Sequence, residues 1–156
     1  MEKLIRRLER EGKIRKKETE FIQVEALLKE AILDLDEAKR ISKIAERATF
    51  LLAYNAMLKA GRALMMLKGY LPANGGQHKT VVDMTGATLG DKFQNLCGQF
   101  ERMRRKRNEL TYEAGIAMSK TETKRAFSDA QALVKKILDE LKSQNPQLKM
   151  KFFESN

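Results

Sequence analysis

Apolar residues recur along this chain three or four positions apart, the spacing of a helical face, and nowhere alternate one in two as a half-buried strand would. Residues 18–43 carry Val24, Leu27, Leu28, Ala31, Ile32, Leu35, Ala38 and Ile41 on one side. Glu25, Lys29, Asp34, Glu37 and Arg40 fall on the other, which predicts a long amphipathic helix. Residues 46–68 are apolar almost all round and predict the central core helix. Within it Ala53, Ala56, Ala60, Gly61 and Ala63 thin one side for close backbone approach, and the methionines at its end fill gaps. Residues 91–113 repeat Phe93, Leu96, Phe100, Met103 and Leu110 in a heptad-like stripe. A capping box, Ser119-Lys120-Thr121-Glu122, opens a last helix that buries Phe127, Ala130, Leu133, Val134, Ile137, Leu138 and Leu141. Asn145-Pro146 closes it.

Shorter elements complete the outline. Leu4, Ile5 and Leu8 make a small helical stripe that Gly12 ends. Gly69, Pro72 and Gly75-Gly76 stop the central helix and form a loop, and a short helix covers residues 80–84. The fold class is therefore all-α, an up-and-down four-helix bundle with short additional helices. Its expected organisation is a short basic N-terminal helix at 1–17, a helical bundle at 18–145 and a C-terminal tail at 146–156. Neither repeat nor linker divides the 156 residues, which suffice for one core.

Charge changes this picture more than composition does. The formal net charge is +10, and residues 1–17 alone hold eight Lys or Arg. Clustered positive charge favours an anionic partner, either RNA, DNA, a nucleotide or an acidic protein, over simple solubility. No run of about 18 apolar residues predicts a membrane span, and the charged N-terminus has no apolar signal core, so a cytoplasmic protein without a membrane partner is expected. A single cysteine, Cys97, excludes an internal disulfide and lies on the apolar side of its helix as a buried inert thiol. Asp34 and Asp36 stand two apart and diverge on a helix, so they form no metal pair. Neither a metal nor a cofactor is expected.

The sharpest local feature lies in residues 101–113, where positions 102–107 hold five basic residues. The apolar stripe of this helix runs through Met103 to Leu110, and its missing member is Arg107. An unpaired buried charge is costly. Arg107 is therefore either paired inside the fold, with Asp34 or Glu37 as candidates, or lines a cleft or a subunit interface. Arg102, Arg105 and Lys106 fall on the surface side. His78 is the only histidine and sits near the start of the short helix. Gly75-Gly76-Gln77-His78-Lys79-Thr80 lacks both the GxxxxGK[ST] frame and a preceding strand, so it is no phosphate loop of a nucleoside triphosphatase.

Two stretches, in this order and spacing, resemble the HEPN family (higher eukaryotes and prokaryotes nucleotide-binding). The first runs from Tyr54-Asn55-Ala56-Met57 to Lys68-Gly69-Tyr70 and is similar to the family's small-residue-rich core helix. The second, Arg104-Arg105-Lys106-Arg107-Asn108-Glu109-Leu110-Thr111-Tyr112-Glu113, resembles its signature helix, an Arg and a polar neighbour followed four to six residues on by a His. The resemblance spans residues 20–142. It implies a helical bundle that dimerises through the signature helices, and a metal-independent endoribonuclease in active members. It also implies a minimal nucleotidyltransferase as partner in a toxin–antitoxin pair. Arg107 corresponds to the family arginine, which stabilises charge on phosphate, and Asn108 to its polar neighbour.

The histidine is missing from that motif: Tyr112 stands in its place. With an ordinary pKa near 10 against about 6.5 for His, a tyrosine is a poor base at neutral pH. Three outcomes remain open. The chain is a non-catalytic RNA- or nucleotide-binding relative, a weak nuclease using Arg107, Asn108 and Tyr112, or a protein whose Tyr112 a nucleotidyltransferase modifies. Arg104, Arg105, Arg107 and His78 are the expected nucleic-acid or nucleotide contacts. The alternative is a protein-interaction module whose basic surface docks an acidic partner.

Overall fold

The computed structural model describes residues 1–73, 77–146 and 148. The tail expected from residue 147 onward, Leu148 apart, and the Gly75-Gly76 turn lie outside the described residues. Among the described residues there are six helices: α1 (Glu2–Arg10), α2 (Phe21–Ile41), α3 (Glu46–Leu67), α4 (Gln77–Leu89), α5 (Gln94–Tyr112) and α6 (Lys120–Gln144). A single 3-10 turn, Asp91–Phe93, leads into α5. The molecule is a helical bundle, as the apolar periodicity implies.

One expectation fails. Residues 14–16 and 70–72 pair as a short antiparallel ribbon, β1 (Ile14–Lys16) and β2 (Tyr70–Pro72), with Ile14 opposite Pro72 and Lys16 opposite Tyr70. Three residues are too few to show a period of two. Gly12, in the left-handed region at φ 69°, turns the chain out of α1 and into β1. Ile14 and Leu8 then join the main buried cluster. The short helix expected at residues 80–84 is also longer than expected, 13 residues, and begins at Gln77.

Helix α3 is central and packs against α2, α6, α4 and α5. Its buried residues lie on every side: Phe50, Ala53, Tyr54, Met57, Ala60, Leu64 and Met65 among them. Gly61 makes the closest approach. A Cβ there would stand 2.6 Å from Val81 Cγ1 and 2.7 Å from Thr85 Oγ1, so only glycine lets α4 lie this close to α3. Helix α2 adds Val24, Leu28, Ala31, Leu35 and Ala38, and α6 adds Ala130, Leu133, Val134, Ile137, Leu138 and Leu141. Ser119 caps α6 through its hydroxyl, which accepts the Glu122 backbone N–H at 3.0 Å.

Asp34 departs from the polar face assigned to it. It is buried, with Oδ2 2.8 Å from the Lys59 ammonium of α3. That contact satisfies charge, although its alignment is too poor for a hydrogen bond to this oxygen. Asp36 pairs with Arg40 on the outer side of α2, so the two aspartates do diverge. Cys97 is buried and free, and burial pushes its thiol pKa up. No described helix is long and apolar enough to cross a membrane.

Candidate functional site

Three helices bring a set of polar side chains together on the α4–α5 side of α3. Helix α3 supplies Tyr54 and Arg62, α4 supplies His78 and Lys79 in its first turn, and α5 supplies Glu101, Arg104 and Arg107. The Tyr54 side chain is fully buried, and a buried phenol needs a polar partner. It finds one in His78: Tyr54 Oη lies 2.9 Å from His78 Nδ1, with the two rings tilted 33° and their centroids 5.8 Å apart. Phe100 backs the tyrosine from α5 at 6.0 Å.

The protonation of this pair is set by its surroundings. Burial raises the Tyr54 pKa, against the opposing pull of Arg107 and Arg104. His78 is shifted down, first by burial, then by the positive charges of Arg107, Arg62 and Arg104. A protonated phenol beside a neutral imidazole donates to Nδ1, which leaves the imidazole proton on Nε2 as a free donor. An anion entering this field would reverse the balance on His78, because negative charge favours imidazolium.

Glu101 is the negative counterweight. It accepts from Arg104 Nε at 3.1 Å and Arg104 Nη2 at 2.6 Å, and from Arg105 Nε at 3.2 Å. Lys79 Nζ lies 3.3 Å away and also pairs with Asp83 at 3.0 Å. Burial alone would raise the Glu101 pKa, but the Arg104 hydrogen bonds and the Lys79 charge outweigh it and bring it down to about 2.

Arg107 is different. It is half-buried at the stripe position between Met103 and Leu110, both buried. Among the described residues no carboxylate pairs with it. Its side-chain bond is to Asn108 Oδ1 at 3.4 Å. The expected partners are thereby corrected. Asp34 is engaged by Lys59, and Glu37 is exposed on α2. Lys106 is corrected as well, being half-buried with its ammonium 3.5 Å from Glu122.

Of the residues singled out from the sequence, Arg104, Arg107 and His78 belong to this cluster. Arg105 reaches it only through Glu101, its side chain remaining largely exposed. Asn108 touches Arg107 and nothing further in the cluster. Tyr112 is not brought in. It is 78% exposed at the end of α5, and five residues turn a helix by about 140° relative to Arg107. Tyr54, Arg62 and Glu101 escaped notice. Tyr54 and Arg62 lie in the helix read as apolar almost all round, and the one available signal was that their polar tips must meet something.

Two cavities lie away from this cluster. One, of about 510 Å³, runs between α5 and α6, and the other, of about 660 Å³, lies where α2 ends and α3 and α6 begin. Neither is lined by His78, Tyr54, Arg104 or Arg107. Enclosure is not a requirement for a phosphate backbone, which binds to open basic faces. Among the described residues no group of three or more His, Cys, Asp or Glu side chains could hold a metal. The chain matches no known protein-family model, and no curated protein matches it.

Proposed function

We propose that the protein binds the phosphates of RNA or of a nucleotide at Arg107 and His78, with Arg104, held by Glu101, adding positive field beside them. In this reading it is a HEPN-like up-and-down bundle that dimerises through α5. It is one half of a toxin–antitoxin-like pair with a minimal nucleotidyltransferase. The observation that supports it most is Arg107, a half-buried guanidinium with no carboxylate on it among the described residues, whose charge acts on a neutral histidine. A cation left without an anion inside a folded protein is well matched to an anion from outside.

The ribonuclease motif is incomplete, because Tyr112 stands where the family histidine would. Any acid–base chemistry in this reading falls to His78. Its Nε2–H donates to a phosphate oxygen, and the imidazole gains a proton as the phosphate binds, Nδ1–H then donating to Tyr54 Oη. Arg107 offsets charge developing on the phosphate, and Asn108 steadies Arg107. Tyr112, exposed at the end of α5, is the residue open to modification by the nucleotidyltransferase partner.

The test is RNA binding and RNA cleavage by the wild type, Arg107→Ala and His78→Gln. Loss of a charged contact to phosphate weakens binding by about tenfold. Arg107→Ala should show that loss, with a shallower dependence of affinity on salt. His78→Gln should abolish any cleavage while binding persists. Unchanged affinity in Arg107→Ala would remove the nucleic-acid role, and cleavage surviving His78→Gln would remove the histidine from the chemistry.

A further inference from the structure

The cavity at the junction of α2, α3 and α6 has a charge imbalance that nothing described so far uses. It encloses about 660 Å³, within the range of small-molecule sites. Four lysines line it, Lys39, Lys43, Lys120 and Lys124, against one carboxylate, Glu46. Lys43, Lys120 and Lys124 form no ion pair with any described residue. The cavity between α5 and α6 provides the contrast. Its four cations are faced by three carboxylates, Glu109, Glu122 and Asp129, with Lys106–Glu122 and Arg125–Asp129 already paired. Lys43, Lys120 and Lys124 are exposed, so solvent screens them in part, but a concave wall lined by one sign of charge focuses its field and draws in a counter-ion. Lys120 and Lys124 also stand at the start of α6, where the helix dipole is itself positive. Phe127, half-buried, adds an aromatic surface to the same wall.

We propose that this cavity is a second anion site, separate from the α4–α5 cluster, and that it takes a nucleoside polyphosphate. Lys43, Lys120 and Lys124 hold the phosphates, and the base lies against Phe127, since aromatic faces stack any base and lysines bind phosphate as point charges. No residue of this site belongs to the Arg104–Arg107 cluster, so the two proposals stand or fall separately.

The experiment is calorimetric titration of the full chain with ATP, inorganic tripolyphosphate and adenosine, at one fixed ionic strength. The variants are Lys120→Gln/Lys124→Gln, Phe127→Leu and Arg104→Gln/Arg107→Gln, each checked for folding by its thermal transition. ATP should bind at one equivalent per chain by this cavity. The lysine pair should weaken ATP and tripolyphosphate alike by about tenfold or more. Phe127→Leu should weaken ATP alone, and in the arginine pair, which removes any nucleotide held at the α4–α5 cluster, the equivalent bound by this cavity should persist. The site is overturned if ATP does not bind, or if the lysine variant binds it as the wild type does. The nucleoside assignment is overturned if ATP and tripolyphosphate bind equally and Phe127→Leu changes neither.

Discussion

Arg104 and Arg107 stand on the same helix, less than one turn apart, and both are half-buried, yet they are held in opposite ways. Arg104 is saturated. Its guanidinium grips both oxygens of Glu101, which also collects Arg105 and Lys79. Among the described residues Arg107 has only the amide oxygen of Asn108 at 3.4 Å. The difference separates two uses of a buried cation. A closed ion-pair network fixes the packing of α5 against α4, since Lys79 reaches across from one helix to the other. An open cation leaves positive potential for something outside the chain. Basic residues crowded into one sequence run are thus unequal, and the carboxylate at position 101 is what divides them.

The largest effect should come from breaking the platform on which both arginines are read. Gly61→Ala drives a Cβ into Val81 Cγ1 and Thr85 Oγ1, both on stiff β-branched side chains, and forces α4 away from α3. Overpacking of this kind costs about 2 kcal/mol. Urea unfolding should report that loss, together with a weakened Tyr54–His78 contact. A stability equal to that of the wild type would mean the α3–α4 interface can give way freely.

Next in size is the asymmetry itself. Glu101→Gln strips the counter-charge from Arg104, Arg105 and Lys79 and should cost about 1–2 kcal/mol. Arg107→Gln removes no ion pair and should stay within about 0.5 kcal/mol of the wild type. Equal losses for the two would erase the distinction between the closed and the open cation. The same carboxylate predicts an acid limb. Its pKa in the folded protein, about 2, lies below the ordinary 4.5. Its stabilisation is therefore complete above pH 4.5 and disappears as pH falls through that window toward 2. Solvent screening at this half-open site keeps the contribution near about 1 kcal/mol. Glu101→Gln should flatten that part of the stability–pH curve, and an unchanged slope would assign the acid limb to other carboxylates.

Much of the fold and part of the site could be read from residue spacing alone. The buried faces of α2, α5 and α6 follow the 3.6-residue period because each helix is long enough to repeat it several times, and α3, apolar almost all round, is buried on every side. The stripe from Phe100 through Met103 to Leu110 isolated Arg107 for the same reason. The β1–β2 ribbon could not be seen, because three-residue strands have no period and their pairing joins positions more than fifty residues apart. Lys59–Asp34 was hidden likewise. A helical period says that position 34 borders the core, but not that a lysine on α3 stands opposite to make burial of a carboxylate tolerable. The site was legible where its members share a helix or are unique in the chain. Arg104 and Arg107 could be found together on α5 and His78 stood out as the one histidine, whereas Tyr54 and Arg62 join them solely through the packing of α3 and α4, which hangs on Gly61.

The smallest expected effect tests that meeting most directly. His78 is the only histidine, so its imidazole resonances can be followed through a pH titration without ambiguity. In the folded chain its pKa is shifted down, by burial and then by Arg107, Arg62 and Arg104. As pH falls through about 6.5 the unfolded chain takes up a proton that the folded chain refuses, so the native state loses stability over that interval. Arg107→Gln removes one of the repelling charges. The His78 midpoint should then move up and the loss of stability at mildly acid pH should lessen. Arg105→Gln should leave the midpoint in place, because Arg105 is not among the charges that shift His78. Tripolyphosphate added to the wild type should also raise the midpoint if it reaches the cluster, since it brings negative charge to the imidazole. A midpoint indifferent to Arg107→Gln would mean that the open cation and the histidine do not share a field, and the α4–α5 cluster would reduce to a tyrosine–histidine hydrogen bond beside an ordinary basic helix.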